Sequence, residues 1–147
     1  SPRIYHTRSK QVRLTMNKPI NTFDIDGVIY GPGIYPGPDD IIITGRSYEE
    51  EPETMRMLHA RGIRNQVFFN TLEYEDKTRE SSGLHKARTI DWLNRSGYKV
   101  VNHIEDDEIQ IEAIKAYFRN NMLPGCPVIV RVVSDIVPKE NFRHVDF

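Results

Sequence analysis

Cysteine is nearly absent from this chain: Cys126 is the only one in 147 residues. An internal disulfide is therefore excluded, as are zinc ribbons and CxxC redox pairs, and a reducing compartment is the expectation. Long apolar runs are missing too. A membrane helix would need ~18 consecutive apolar residues, and the mean hydropathy is −0.55. Neither sign of charge dominates, with 20 Lys+Arg against 21 Asp+Glu, so there is no general reason to expect a polyanion partner. What is present fits a folded domain. Aromatic residues make up 10 % of the chain, more than disordered segments carry, and the length suffices to bury one sizeable core. The expectation is one soluble, cytoplasmic domain with no membrane partner.

Residues 1–17 read as a basic N-terminal extension and 18–147 as the domain. Residues 1–21 hold Arg3, Arg8, Lys10, Arg13 and Lys18 with no acid, and they lack the apolar centre of a signal peptide. Met16 opens the segment directly before the first strong strand, so residues 1–15 read as an upstream extension or an added segment. Such a tail offers a contact to nucleic acid, although a short basic tail without interleaved aromatics is more commonly just solvated.

From there, short apolar runs alternate with amphipathic stretches. Ile20–Ile25, Asp40–Thr44, Val67–Asn70, Lys99–Ile104 and Val128–Val133 read as five strands. Pro52, behind Glu49–Glu51, suits a helix start, with Met55 and Leu58 on its apolar face and Gly62 as its stop. A second helix carries Ala87, Ile90 and Leu93, opens near His85–Lys86 and ends at Gly97. A third carries Ile111, Ile114, Phe118 and Met122, and stops at Pro124–Gly125. Strands alternating with helices predict a doubly wound α/β fold with a mainly parallel five-stranded, Rossmann-like sheet.

Sites in such sheets form beyond the carboxyl ends of the strands, and the polar residues collect there. Strand one ends in Asp24-Ile25-Asp26-Gly27, strand two in Thr44-Gly45-Arg46 and strand four in Glu105-Asp106-Asp107, while Lys86 stands on the helix between strands three and four. Clustered carboxylates repel one another unless a cation compensates them. Carboxylates with waters and a phosphate form a hard oxygen site suited to Mg²⁺. Thr44, the Gly45 amide and Lys86 supply donors for a tetrahedral anion. Each part alone has a plainer reading. Asp-x-Asp-Gly is a common turn, an acid run is a common helix start, and a lysine is most often solvated. In this order, at successive strand ends, they reinforce one another.

The order FDIDGVI (23–29), IIITGR (41–46), HKARTIDWL (85–93) and HIEDDEIQIEAI (103–114) resembles the haloacid dehalogenase-like (HAD) hydrolases over nearly everything from Ile20 to Val133. The middle section is also similar in layout to the phosphatase half of phage polynucleotide kinase-phosphatases. Gly45-Arg46, Glu51-Pro52, Asp76-Lys77-Thr78-Arg79 and Asp106-Asp107 with Gln110 stand at the counterpart positions. The resemblance implies a Mg²⁺-dependent phosphatase. Asp24 would be the nucleophile, becoming an aspartyl phosphate. Asp26 would be the acid and base, with its backbone carbonyl on the metal. Thr44, Gly45, Arg46 and Lys86 would hold the phosphoryl group, Lys86 also assisting catalysis. Asp24, Asp26, Asp106 and Asp107 would form the metal site, with Glu105 an ambiguous member. Val28 stands where the family usually has Thr. Only Val28–Asp40 separates the first two motifs, too little for a cap domain.

An open, capless site admits bulky substrates, so the expected substrate is a nucleotide or a phosphorylated nucleic-acid end. So compact a form suits a phage, which would place it in the host cytoplasm. The alternative is a catalytically idle HAD-like module that binds phosphorylated ligands or a protein or nucleic-acid partner, against which the retained Asp24 and Asp26 weigh. His59, His103 and His144 read as structural, Trp92 as helix packing, and Tyr30 and Tyr35 as candidate contacts to a substrate base or sugar.

Overall fold

A computed structural model describes residues 17–133. Nearly all of the basic extension, residues 1–16, and residues 134–147 lie outside that range. Five strands form one sheet: β1 (Lys18–Phe23), β2 (Ile41–Ser47), β3 (Val67–Asn70), β4 (Tyr98–Glu105) and β5 (Val128–Arg131). Their order is β3-β2-β1-β4-β5, and every pairing is parallel. Three α-helices link them: α1 (Glu51–Ala60), α2 (Arg79–Arg95) and α3 (Glu108–Asn120), with a 3-10 turn at Tyr48–Glu50 before α1. This is the doubly wound Rossmann-like arrangement expected, without a cap.

The sheet is apolar on both faces because both are covered. Ile41 and Ile43 of β2 join Ala87, Ile90 and Leu93 of α2 and Ile114 and Phe118 of α3 in one cluster. Ile42, between them and facing the other way, joins Leu58 of α1 with Val28 and Ile29 of the loop after β1. From β1 the chain moves outward to β2 and β3, and α2 then returns it to β4 on the far side of β1. The strand order therefore reverses between β1 and β4, where open sheets of this kind bind ligands. No helix among the described residues is long and apolar enough to cross a membrane.

Strand ends shift by up to three residues from the expected ones, the largest shift carrying β2 past Thr44 to Ser47, and two helix boundaries move. Helix α2 begins at Arg79, not near His85, because Thr78 caps it: the Thr78 hydroxyl accepts from the Ser81 amide while the Ser81 hydroxyl accepts from the Thr78 amide, at 3.0 and 2.8 Å. Lys86 thus lies two turns inside the helix. Met122 does not extend the stripe of α3, which ends at Asn120; its φ of 51° takes it out of the helix and leaves it 83 % exposed.

Candidate functional site

Pairing of β1 with β4 aligns Phe23 with Ile104, and the Asp24 amide extends the ladder onto the Ile104 carbonyl at 3.1 Å. Asp24, at the end of β1, and Glu105, at the end of β4, therefore meet at the switch point. Beyond Asp24 the chain turns tightly: the Val28, Ile29 and Tyr30 amides all donate to the Ile25 carbonyl. Gly27 sits in this turn at φ +86°, and a Cβ there would overlap the Asp106 carboxylate. Glycine is required twice over, for its backbone angle and for the room it leaves Asp106.

Lys86 reaches into this junction from α2. Its ammonium is fully buried and donates to Asp24 Oδ1 at 2.8 Å and to Glu105 Oε1 at 2.9 Å. Lysine is almost never fully buried unless paired, and here it is paired twice. Glu105 Oε1 also meets His103 Nε2 at 3.1 Å, and His103 Nδ1 meets Thr22 Oγ1 at 2.7 Å. His103 is the packed histidine expected, but it also orients Glu105. Carboxylate oxygens of Asp24, Glu105 and Asp106 all lie within 4.8 Å of one another. Three carboxylates beside one ammonium leave two negative charges, the charge one divalent cation neutralises. The donor set is hard oxygen throughout, which suits Mg²⁺ and not a soft metal.

Asp107 stands apart from that group. It caps α3 by accepting from the Ile109 amide at 3.0 Å. Arg79 grips both its oxygens at 2.7 and 3.0 Å, and Gln110 Nε2 adds a third contact at 3.0 Å. The three clustered carboxylates are thus Asp24, Glu105 and Asp106, and the ambiguous member Glu105 joins them where Asp107 does not. The Asp26 side chain also lies outside them. Arg46 holds it in a two-point pair at 2.8 and 2.9 Å, and also donates to Thr54 Oγ1 at 3.1 Å. Burial is the largest influence on Arg46 and opposes its charge, but the bond to Asp26, the charge of Asp26 and that of Glu50 together outweigh it and raise the pKa above the ordinary value. Thr44 is buried within β2, three residues before its end, and its hydroxyl accepts from the Arg46 amide at 3.1 Å.

A further cation, Lys77, belongs to the Asp76–Arg79 segment, where the sequence assigns it no role of its own. It is buried under the same rim, donating to Glu50 Oε2 at 2.5 Å and to the Gly45 carbonyl at 3.3 Å. Burial lowers its pKa, with Glu50 acting against that shift. It ties Gly45, within β2, to Glu50 of the 3-10 turn that follows the strand. Tyr30 has its ring beneath two guanidinium groups, Arg61 at 4.1 Å and Arg46 at 5.6 Å, and burial raises its pKa. Tyr35, by contrast, is 54 % exposed. His85 is held neutral, its pKa lowered to about 4 by burial and then by the charge on Lys86.

Comparison with known proteins leaves this geometry without a family: no family model matches the chain, and no curated protein matches it.

Proposed function

We propose that the domain is a divalent-metal-dependent phosphomonoesterase acting through Asp24, on a nucleotide or a phosphorylated nucleic-acid end. One observation carries the reading: a buried lysine bonded to two carboxylates, with a third carboxylate beside them, at the sheet's switch point. Phosphoryl transfer asks mainly for positioning and charge neutralisation. Asp24, Glu105 and Asp106 would hold Mg²⁺, which when bound supplies positive charge to the phosphoryl oxygens.

An Asp24 carboxylate oxygen attacks phosphorus, the bond from phosphorus to the ester oxygen breaks, and an aspartyl phosphate forms. Asp26, protonated from solvent once Arg46 releases one of its oxygens, gives that proton to the leaving oxygen. It then takes a proton from the water that attacks the aspartyl phosphate, releasing phosphate and restoring Asp24. Arg46 grips both oxygens of Asp26, so it must give one up before Asp26 reaches the leaving group. Lys86 neutralises part of the charge that gathers as substrate binds. Thr44 and the Gly45 amide, in the second half of the neighbouring strand, serve as phosphoryl donors.

The idle binding module draws on one observation too: Asp24 and Asp26 are each already in an ion pair. Phosphate release separates the two readings. The panel holds an aryl phosphate, 5′- and 3′-mononucleotides and phosphorylated oligonucleotides, each with Mg²⁺ and with EDTA, and Asp24→Asn in parallel. Metal-dependent release that Asp24→Asn abolishes supports the phosphatase. No release from any member, with the variant behaving as the parent, contradicts it.

A further inference from the structure

A cavity of about 380 Å³ lies between the edge strand β3 and helix α2. Its volume falls in the range of small-molecule sites, and none of the residues discussed so far as phosphate or metal ligands line it. Its walls are aromatic: Tyr48, Phe68 and Trp92. Trp92 packs edge-on against Phe68 with ring centroids 5.8 Å apart, yet remains 51 % exposed, and Tyr48 is 56 % exposed. The expectation that Trp92 serves helix packing accounts for only one side of its ring.

Two further observations give the cavity a chemistry. His85 lines it, and His85 Nε2 is buried with no hydrogen-bond partner. The ring is neutral, and its N–H faces the Phe68 and Thr44 carbonyls, which makes Nε2 the free acceptor. Arg88 adds a cation from the same helix face. A buried acceptor between aromatic walls fits a flat ring that carries a donor group.

The cavity's position relates it to the phosphate site. Tyr48 follows β2, Thr71 follows β3 and Ser81 lies in the first turn of α2, so the cavity reaches the carboxyl rim of the sheet. From β1 to β3 is two strand spacings, about 10 Å. His85 faces the Thr44 carbonyl on one side and adjoins Lys86 in the chain. A ligand of nucleotide size spans such a lateral separation.

We infer that this cavity is the nucleobase subsite of the domain, stacking a base on Tyr48 and Trp92 and accepting from its amino group at His85 Nε2. The inference rests on the phosphatase reading for its substrate, but not for its test. Trp92 is the only tryptophan in the chain, so its fluorescence reports the cavity directly. Adenosine, which has no phosphate, is titrated against the full chain, with free tryptophan correcting for absorption by the base. Adenosine 5′-monophosphate and a 5′-phosphorylated oligonucleotide form two further arms, which distinguish a free nucleotide from a nucleic-acid end as the source of the base.

Saturable quenching by adenosine is expected, weakened about tenfold in Tyr48→Ala, an exposed position that should not disturb folding. His85→Leu should weaken it comparably, with far-UV circular dichroism verifying that the variant is folded. Absence of saturable quenching by adenosine in the parent overturns the subsite, as does quenching that neither variant alters. Metal-dependent phosphate release without quenching would leave the phosphatase standing and remove the base subsite. Quenching without release would do the reverse.

Discussion

Gly27 turns the chain at φ +86° directly beneath the Asp106 carboxylate. A methyl group there meets both a backbone penalty and the acid it must make room for. Gly27→Ala should therefore displace Asp106 and lower any phosphatase activity by about a hundredfold or more, the scale of a 1 Å misplacement. Steady-state kinetics of the purified variant would measure it; unchanged kcat/KM would separate Asp106 from the chemistry. His85 gives a pH prediction. Its pKa falls from 6.5 to about 4 on folding, so between those values the unfolded chain binds the extra proton. Stability from this group is complete above pH 6.5 and is lost as pH falls toward 4. Between pH 7 and pH 5 the loss is about 2 kcal/mol. Urea midpoints at the two pH values should show it in the parent, and a smaller drop in His85→Leu.

Among the elements, α2 carries Lys86 and was only half legible in the sequence. Its apolar stripe over Ala87, Ile90 and Leu93 is plain in the spacing, and those residues are buried as the stripe requires. Its start was misplaced because the Thr78–Ser81 cap is a weaker sequence signal than a Ser/Thr paired with Glu or Gln. The strands were more readable, since β-branched runs such as Ile41-Ile42-Ile43 mark a doubly covered sheet. At the end of β4 the acid run is also a helix start. Asp107 precedes Glu108-Ile109 as an N-cap residue, which separates it from Glu105, still within the strand. Its pairing with Arg79 spans 28 positions, and no local pattern reveals such a contact. The crossing of α2 with α3 has its own test. Gly83 is helical, and a Cβ there would approach Gln110 Cα to 2.9 Å and Ala113 Cβ to 2.6 Å. Alanine would gain about 1 kcal/mol of helix propensity, but forcing backbone apart costs about 1–3 kcal/mol. Gly83→Ala should lower the urea midpoint with an unchanged slope; a raised midpoint would mean that the helices part without strain.

Across the whole molecule, the reversal of strand order brings Asp24, Glu105 and Asp106 together from two adjacent parallel strands and the turns beyond them. Lys86 offsets one of their three charges. A divalent cation that binds the folded chain alone should stabilise it by mass action. Mg²⁺ at a hundredfold excess over its Kd should raise Tm by about 5 °C or more, and EDTA should return it to the starting value. Asp106→Asn should abolish the response, as scanning calorimetry would show. An equal rise in the variant would place the ion elsewhere. The central claim concerns Asp24 itself. Its most direct test is rapid acid quenching of the chain during turnover of the best substrate with Mg²⁺, followed by peptide mass spectrometry. The account predicts one phosphoryl group on the peptide containing Asp24, absent in Asp24→Asn. Phosphate released with no phosphoryl group ever on that peptide would contradict it.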